Sequence, residues 1–77
     1  MTMTKKIMIQ FERIKQNGYC DMIEYYCVMN SAHCDGYHEL SFLSKEEYID
    51  ILDNYEKYMK QFNLKPDDES IWEIDIK

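Results

Sequence analysis

Between Ser44 and Pro66 the chain has little conformational freedom. Ser44-Lys45-Glu46-Glu47 is a capping box: the Ser44 hydroxyl can accept from a free helix N–H, and Glu47 can reach back to the Ser44 amide. Leu43 and Tyr48 flank it as a hydrophobic staple. Behind it, Tyr48, Ile51, Leu52, Tyr55, Tyr58, Met59 and Phe62 recur at three- and four-residue spacing. That spacing predicts one amphipathic helix to about Phe62. Asn63 suits the left-handed position after a helix, and Pro66 prevents continuation.

The remaining sequence is read against this helix. Ile7, Ile9 and Phe11 alternate with Met8, Gln10 and Glu12, which predicts a strand over 5–14. Asn17-Gly18 is a turn signal, read as a type I turn with a Gly18 bulge. It pairs that strand with a second over 19–29, setting Phe11 against Ile23 and Ile9 against Tyr25. Residues 30–36 read as a polar loop. Residues 37–43 read as a third strand, with Leu40 and Phe42 inward. Asp67-Asp68-Glu69-Ser70 reads as an acidic loop, and 71–77 as a last strand with Trp72, Ile74 and Ile76 on one face. The expected fold class is α+β: a two-layer domain over 1–77, with an antiparallel sheet of about four strands and one helix on one face, in the order β-β-β-α-β. One helix covers one side of such a sheet. The open side would carry Met8, Ile14, Met22, Tyr26 and Val28, a surface for a homodimer or a larger homo-oligomer.

Charge narrows the function. The 77 residues hold 9 Lys and Arg against 15 Asp and Glu, a net charge of −6. Direct nucleic-acid binding needs clustered bases and is excluded on this balance. Ile7-Met8-Ile9 is far shorter than a membrane span or the core of a signal peptide. An odd number of cysteines, three, suits a reduced protein and a cytoplasmic setting, that of a cell or of an infected host. The acidity is uneven: residues 44–77 hold ten acids and five lysines, whereas 1–43 hold five acids and four bases.

The side chains offer three kinds of chemistry. Cys20, His33, Cys34 and His38 are soft or borderline ligands in a short stretch, the makings of a metal-binding or redox-sensing regulator. Their spacing contains no Cys-x-x-Cys pair, and on a strand Cys20 and Cys27 point to opposite faces. Cys34 beside His33 or His38 lacks the electropositive setting of a catalytic thiol, and Asp35 follows it. Carboxylate pairs such as Glu46 with Asp50, or Asp67 with Glu69, show no sign of the burial that raises a carboxyl pKa. No enzyme and no cofactor is expected.

Protein binding is the leading expectation. Acids along a helix and its flanks can oppose a Lys/Arg groove, and tyrosine is an efficient contact residue. The expected partner-binding residues are Glu46, Asp50, Asp53, Asp67, Asp68, Glu69, Glu73 and Asp75, with Tyr26 and Tyr37. The expected partner is a basic protein, such as a nuclease or CRISPR effector. The chain would then act as an acidic inhibitor by nucleic-acid mimicry or steric block, as a phage anti-CRISPR or anti-restriction protein must.

Overall fold

A computed structural model describes residues 2–76, and they are helical, with no strand among them. The helices are α1 (Lys5–Asn17), α2 (Tyr25–Cys34), α3 (His38–Ser41), α4 (Lys45–Asp53) and α5 (Tyr55–Gln61), followed by a 3-10 helix (Glu69–Glu73). The expected four-stranded sheet is therefore corrected to an all-α fold. Without a sheet there is no open sheet face for a homodimer. Met8, Ile14 and Val28, assigned to that face, are fully buried.

The correction turns on α1. Thr4 caps it, accepting from the Ile7 N–H at 3.2 Å. Ile7, Met8, Phe11 and Ile14 line one side at helical spacing. Ile9 is buried as well, on another side. A helix buried on several sides carries apolar residues that happen to alternate, which mimics a strand over a few residues. Gln10 and Glu12, read as outward strand positions, are buried polar groups. Gly18 is left-handed, φ 73°, as the bulged turn required, but it ends α1 instead of closing a hairpin.

The other corrections have local causes. The expected loop at 30–36 is mostly helix, because Ala32 is buried and α2 runs to Cys34. It ends in a Schellman motif: Gly36 has φ 79°, Tyr37 N donates to Ala32 O, and Gly36 N to His33 O. The expected third strand is the single turn of α3, and Phe42 after it is 80% exposed. The expected last strand begins as a 3-10 helix, with the Asp68 carboxylate accepting from Ser70 N.

The Ser44 helix forms as expected. Both capping-box bonds are present, at 3.1 and 2.8 Å, and Leu43 and Tyr48 are buried. Its end also agrees: Asn63 has φ 58°, and Leu64 N donates to Met59 O. The helix is interrupted at Asn54, whose side-chain amide donates to the Asp50 carbonyl and carboxylate. Tyr58 donates to the other Asp50 oxygen at 2.6 Å and closes the elbow between α4 and α5.

Polar side chains of α1 tie the remaining elements together. Glu12 has no exposed surface. Its carboxylate accepts from the Tyr55 hydroxyl, Lys15, Gln16 and the Asp67 backbone N–H. Lys15 also pairs with Asp67 at 2.6 Å. Burial depresses the Lys15 pKa, but Asp67, Tyr55 and Glu12 together outweigh it and raise the pKa. Burial, with the bond to Glu12, pushes Tyr55 up to about 12. Gln10 donates to Glu39 at 2.9 Å and accepts from Leu40 N at 3.0 Å, fixing α3. Arg13 donates to the carbonyls of Ile71 and Ile74 and lies over the Trp72 ring.

Two outcomes follow. Glu12→Ala strands several donors and should cost about 3 kcal/mol or more in urea unfolding. Glu12→Gln, which keeps the shape and one acceptor oxygen, should cost clearly less; equal losses would mean that the shape contributes nothing and the network depends wholly on the carboxylate. Glu39 is held at about 2, from an ordinary 4.5, by the Gln10 amide, a backbone N–H and Lys6. Its contribution is present above pH 4.5 and lost as pH falls towards 2. Glu39→Gln should flatten the stability curve in that window, and an unchanged slope would contradict the assignment.

Candidate functional surface

Two tyrosines bring distant segments side by side. Tyr25 donates from its hydroxyl to the Leu43 carbonyl, and Tyr48 to the Met22 carbonyl. The two rings meet edge to face, with centroids 5.8 Å apart. Residues 22–26 therefore lie against residues 43–48. Large apolar side chains stand exposed next to these bonds: Ile23 and Tyr26 on one segment, Phe42 and Ile49 on the other, with Tyr19 at the loop's start. Tyr26 lies edge-on to Tyr25, and Phe42 stacks on His38. Among the described residues the one other exposed large apolar side chain is Trp72.

The same segments carry charge of one sign. Residues 19–26 and 42–53 contain Asp21, Glu24, Glu46, Glu47, Asp50 and Asp53, against Lys45. Glu47 is used by the capping box, which lowers its pKa, and Asp50 by the elbow. Asp21 accepts from the Ile23 N–H. The carboxylates of Glu24, Glu46 and Asp53 make no hydrogen bond or ion pair among the described residues. Helical spacing would also allow Asp53 to pair with Lys57 and Glu56 with Lys60, but among the described residues neither ion pair forms. Asp53 and Lys57 lie on opposite sides of the Asn54 break.

The expected partner-binding residues therefore fall into separate groups. Glu46, Asp53 and Tyr26 are exposed, on the segments that Tyr25 and Tyr48 bring together. Asp67 is paired with Lys15, and Asp68 caps the 3-10 helix. Glu69, Glu73 and Asp75 are exposed on the C-terminal segment, which α1 holds through Arg13 and Gln16. Tyr37 is half-buried and lines a cleft of about 590 Å³ together with Lys6, Arg13, His38 and Trp72. The cationic groups of that cleft are engaged: Lys6 with Glu39, and Arg13 with two carbonyls. Phe42 and Ile23, which sequence patterning placed in the core, are exposed. Ile49 was legible as a residue outside the helix stripe.

The soft ligands are not assembled. Cys20 is in a disulfide with Cys27, in place of the reduced state expected. Cys34 is free and exposed, and the His33 and His38 rings stand 6.5 Å apart. Among the described residues no group of three or more His, Cys, Asp or Glu side chains is placed to hold a metal ion. No helix among them is long and apolar enough to cross a membrane. Comparison with protein-family models, with curated proteins and with solved structures finds no match for this chain.

Proposed function

We propose that this protein is a non-enzymatic binder that docks on a basic protein through the face formed by residues 19–26 and 42–53. The observation that carries this reading is the coincidence of exposed Tyr19, Ile23, Tyr26, Phe42 and Ile49 with acids that have no internal partner. Exposed aromatic anchors supply contact area, and the surrounding acids favour a basic partner by complementary potential. The partner class is a basic nucleic-acid-processing protein, such as a nuclease or a CRISPR or restriction effector. The setting would be the cytoplasm of a host cell, with the chain as an anti-defence inhibitor. Asp50, Asp67 and Asp68 have structural tasks, so a continuous row of phosphate-like charges is weakly supported. Steric block by an apolar face with an acidic rim fits the geometry better than mimicry.

Capture from host lysate on immobilised protein tests this directly. A basic protein should be retained, and retention should weaken steeply with salt. Tyr26→Ala with Phe42→Ala, and Glu46→Lys with Asp53→Lys, should each weaken binding about ten-fold or more while helicity is kept. Glu69→Lys with Glu73→Lys should leave it unchanged. Sensitivity to the C-terminal pair alone would place the interface elsewhere and refute the face.

A further inference from the structure

The Cys20–Cys27 bridge ties the loop after α1 to the first turn of α2, with Cα atoms 5.9 Å apart. Cys34 is a free, exposed thiol in the last turn of the same helix. Positions 27, 31 and 34 are four and three apart, so Cys27, Ser31 and Cys34 form one stripe along α2. The Cys20 sulfur lies over the middle of that stripe, 3.2 Å from the Ser31 hydroxyl oxygen. Residues three apart on a helix have Cβ atoms about 5–6 Å apart, so Cys20 is within roughly one side-chain step of Cys34. Cys27 and Cys34 are about 10 Å apart along the axis and cannot bridge each other. The one intramolecular exchange open to Cys34 is attack on Cys20.

We propose that Cys20, Cys27 and Cys34 form a thiol–disulfide exchange site, in which the bridge moves from Cys27 to Cys34 and takes the loop bearing Tyr19 and Ile23 with it. The Cys34 thiolate attacks the Cys20 sulfur. The Cys20–Cys34 bond forms as the Cys20–Cys27 bond breaks. The electron pair of the broken bond leaves on Cys27, which takes a proton from solvent. Nothing is oxidised or reduced overall, and no second reactant is consumed. Both outer cysteines are exposed, so nothing shields the attacking or the leaving group. The loop is weakly held. Tyr19, Asp21, Ile23 and Glu24 are exposed; what anchors it are Cys20 and Met22, half-buried against the core, and the Met22 carbonyl bond to Tyr48. Gly18 at its base has open space where a Cβ would stand. Tyr19 and Ile23 belong to the docking face, so control of binding rests on the reading above, whereas the exchange itself does not.

Cyanogen bromide reads the bridge on the full chain. Cleavage at Met8, Met22, Met29 and Met59 puts the cysteines in fragments 9–22, 23–29 and 30–59, and the acidic medium arrests exchange. Oxidised protein held at neutral pH should yield 9–22 linked to 23–29, and also 9–22 linked to 30–59. Cys34→Ser should yield the first link alone. If the wild-type chain gives only the first link, the proposal falls; it falls equally if 23–29 is linked to 30–59. For control of docking, Cys34→Ser holds the bridge at Cys27 and Cys27→Ser holds it at Cys34. Their affinities for the captured partner should differ about ten-fold or more. Equal affinities, with both variants bridged and helical, would overturn the control and leave the binding reading standing. Failure of both variants and of the wild type to capture a partner would count against the binding reading alone, because the fragment map needs no partner.

Discussion

A carboxylate sealed from water inside a small helical domain is the constraint on which the other contacts depend. Burying Glu12 without donors would cost several kcal/mol, a large share of the stability of about 4–12 kcal/mol open to 77 residues. The structure supplies donors from three places: Lys15 and Gln16 on α1 itself, Tyr55 on α5, and the Asp67 N–H beyond Asn63. The α5 helix and the turn at 65–68 are therefore positioned by one charge. The neighbouring polar residues extend the scheme. Gln10 fixes α3, Arg13 fixes the C-terminal segment, and Gln16 joins Glu12 to the Asp68 carbonyl and the Trp72 indole. An apolar core alone would tolerate several arrangements of five short helices. Directional bonds from α1 select among them.

The same bonds decide which charges are left for a partner. Asp67 and Asp68 are drawn into the turn that serves Glu12 and Gln16, and Asp50 into the elbow at Asn54. The acids without internal tasks beside the apolar cluster are Glu24, Glu46 and Asp53. Net charge alone marks the whole second half of the chain. Subtracting the structural acids leaves the unengaged charge on two segments that are far apart in sequence and joined by Tyr25 and Tyr48.

What the sequence made legible is local. The capping box at Ser44, the left-handed Asn63 and the left-handed Gly18 depend on a few neighbouring residues, and each is found. The differences share one cause: in this chain polarity is a poor guide to exposure. Gln10 and Glu12 looked outward, so Ile7, Ile9 and Phe11 looked like one face of a strand. Yet the same residues satisfy a helical spacing once Met8 and Ile14 are counted with them. Phe42 looked inward because it is large and apolar, and it is exposed. Tyr26 reads as exposed, and it is exposed. The bond between Cys20 and Cys27 was hidden by the strand itself, because an odd offset on a strand separates side chains. A loop leading into a helix brings them together.

That bridge has an energetic role suited to its place. Closing a loop of about eight residues stabilises a fold by roughly 2–3 kcal/mol on the chain-entropy account. The segment it holds is among the least buried, with Tyr19, Ile23 and Tyr26 standing outside. Such a loop depends for position on its covalent tie, on the half-buried Cys20 and Met22, and on the Tyr48 hydroxyl bonded to the Met22 carbonyl. A rigid face costs less entropy when a partner binds than a mobile one does. On the proposed docking face, the bridge would bear on affinity and on stability by the same route. Its exposed Cys27 makes that contribution open to thiol chemistry, whereas the Glu12 network inside is not.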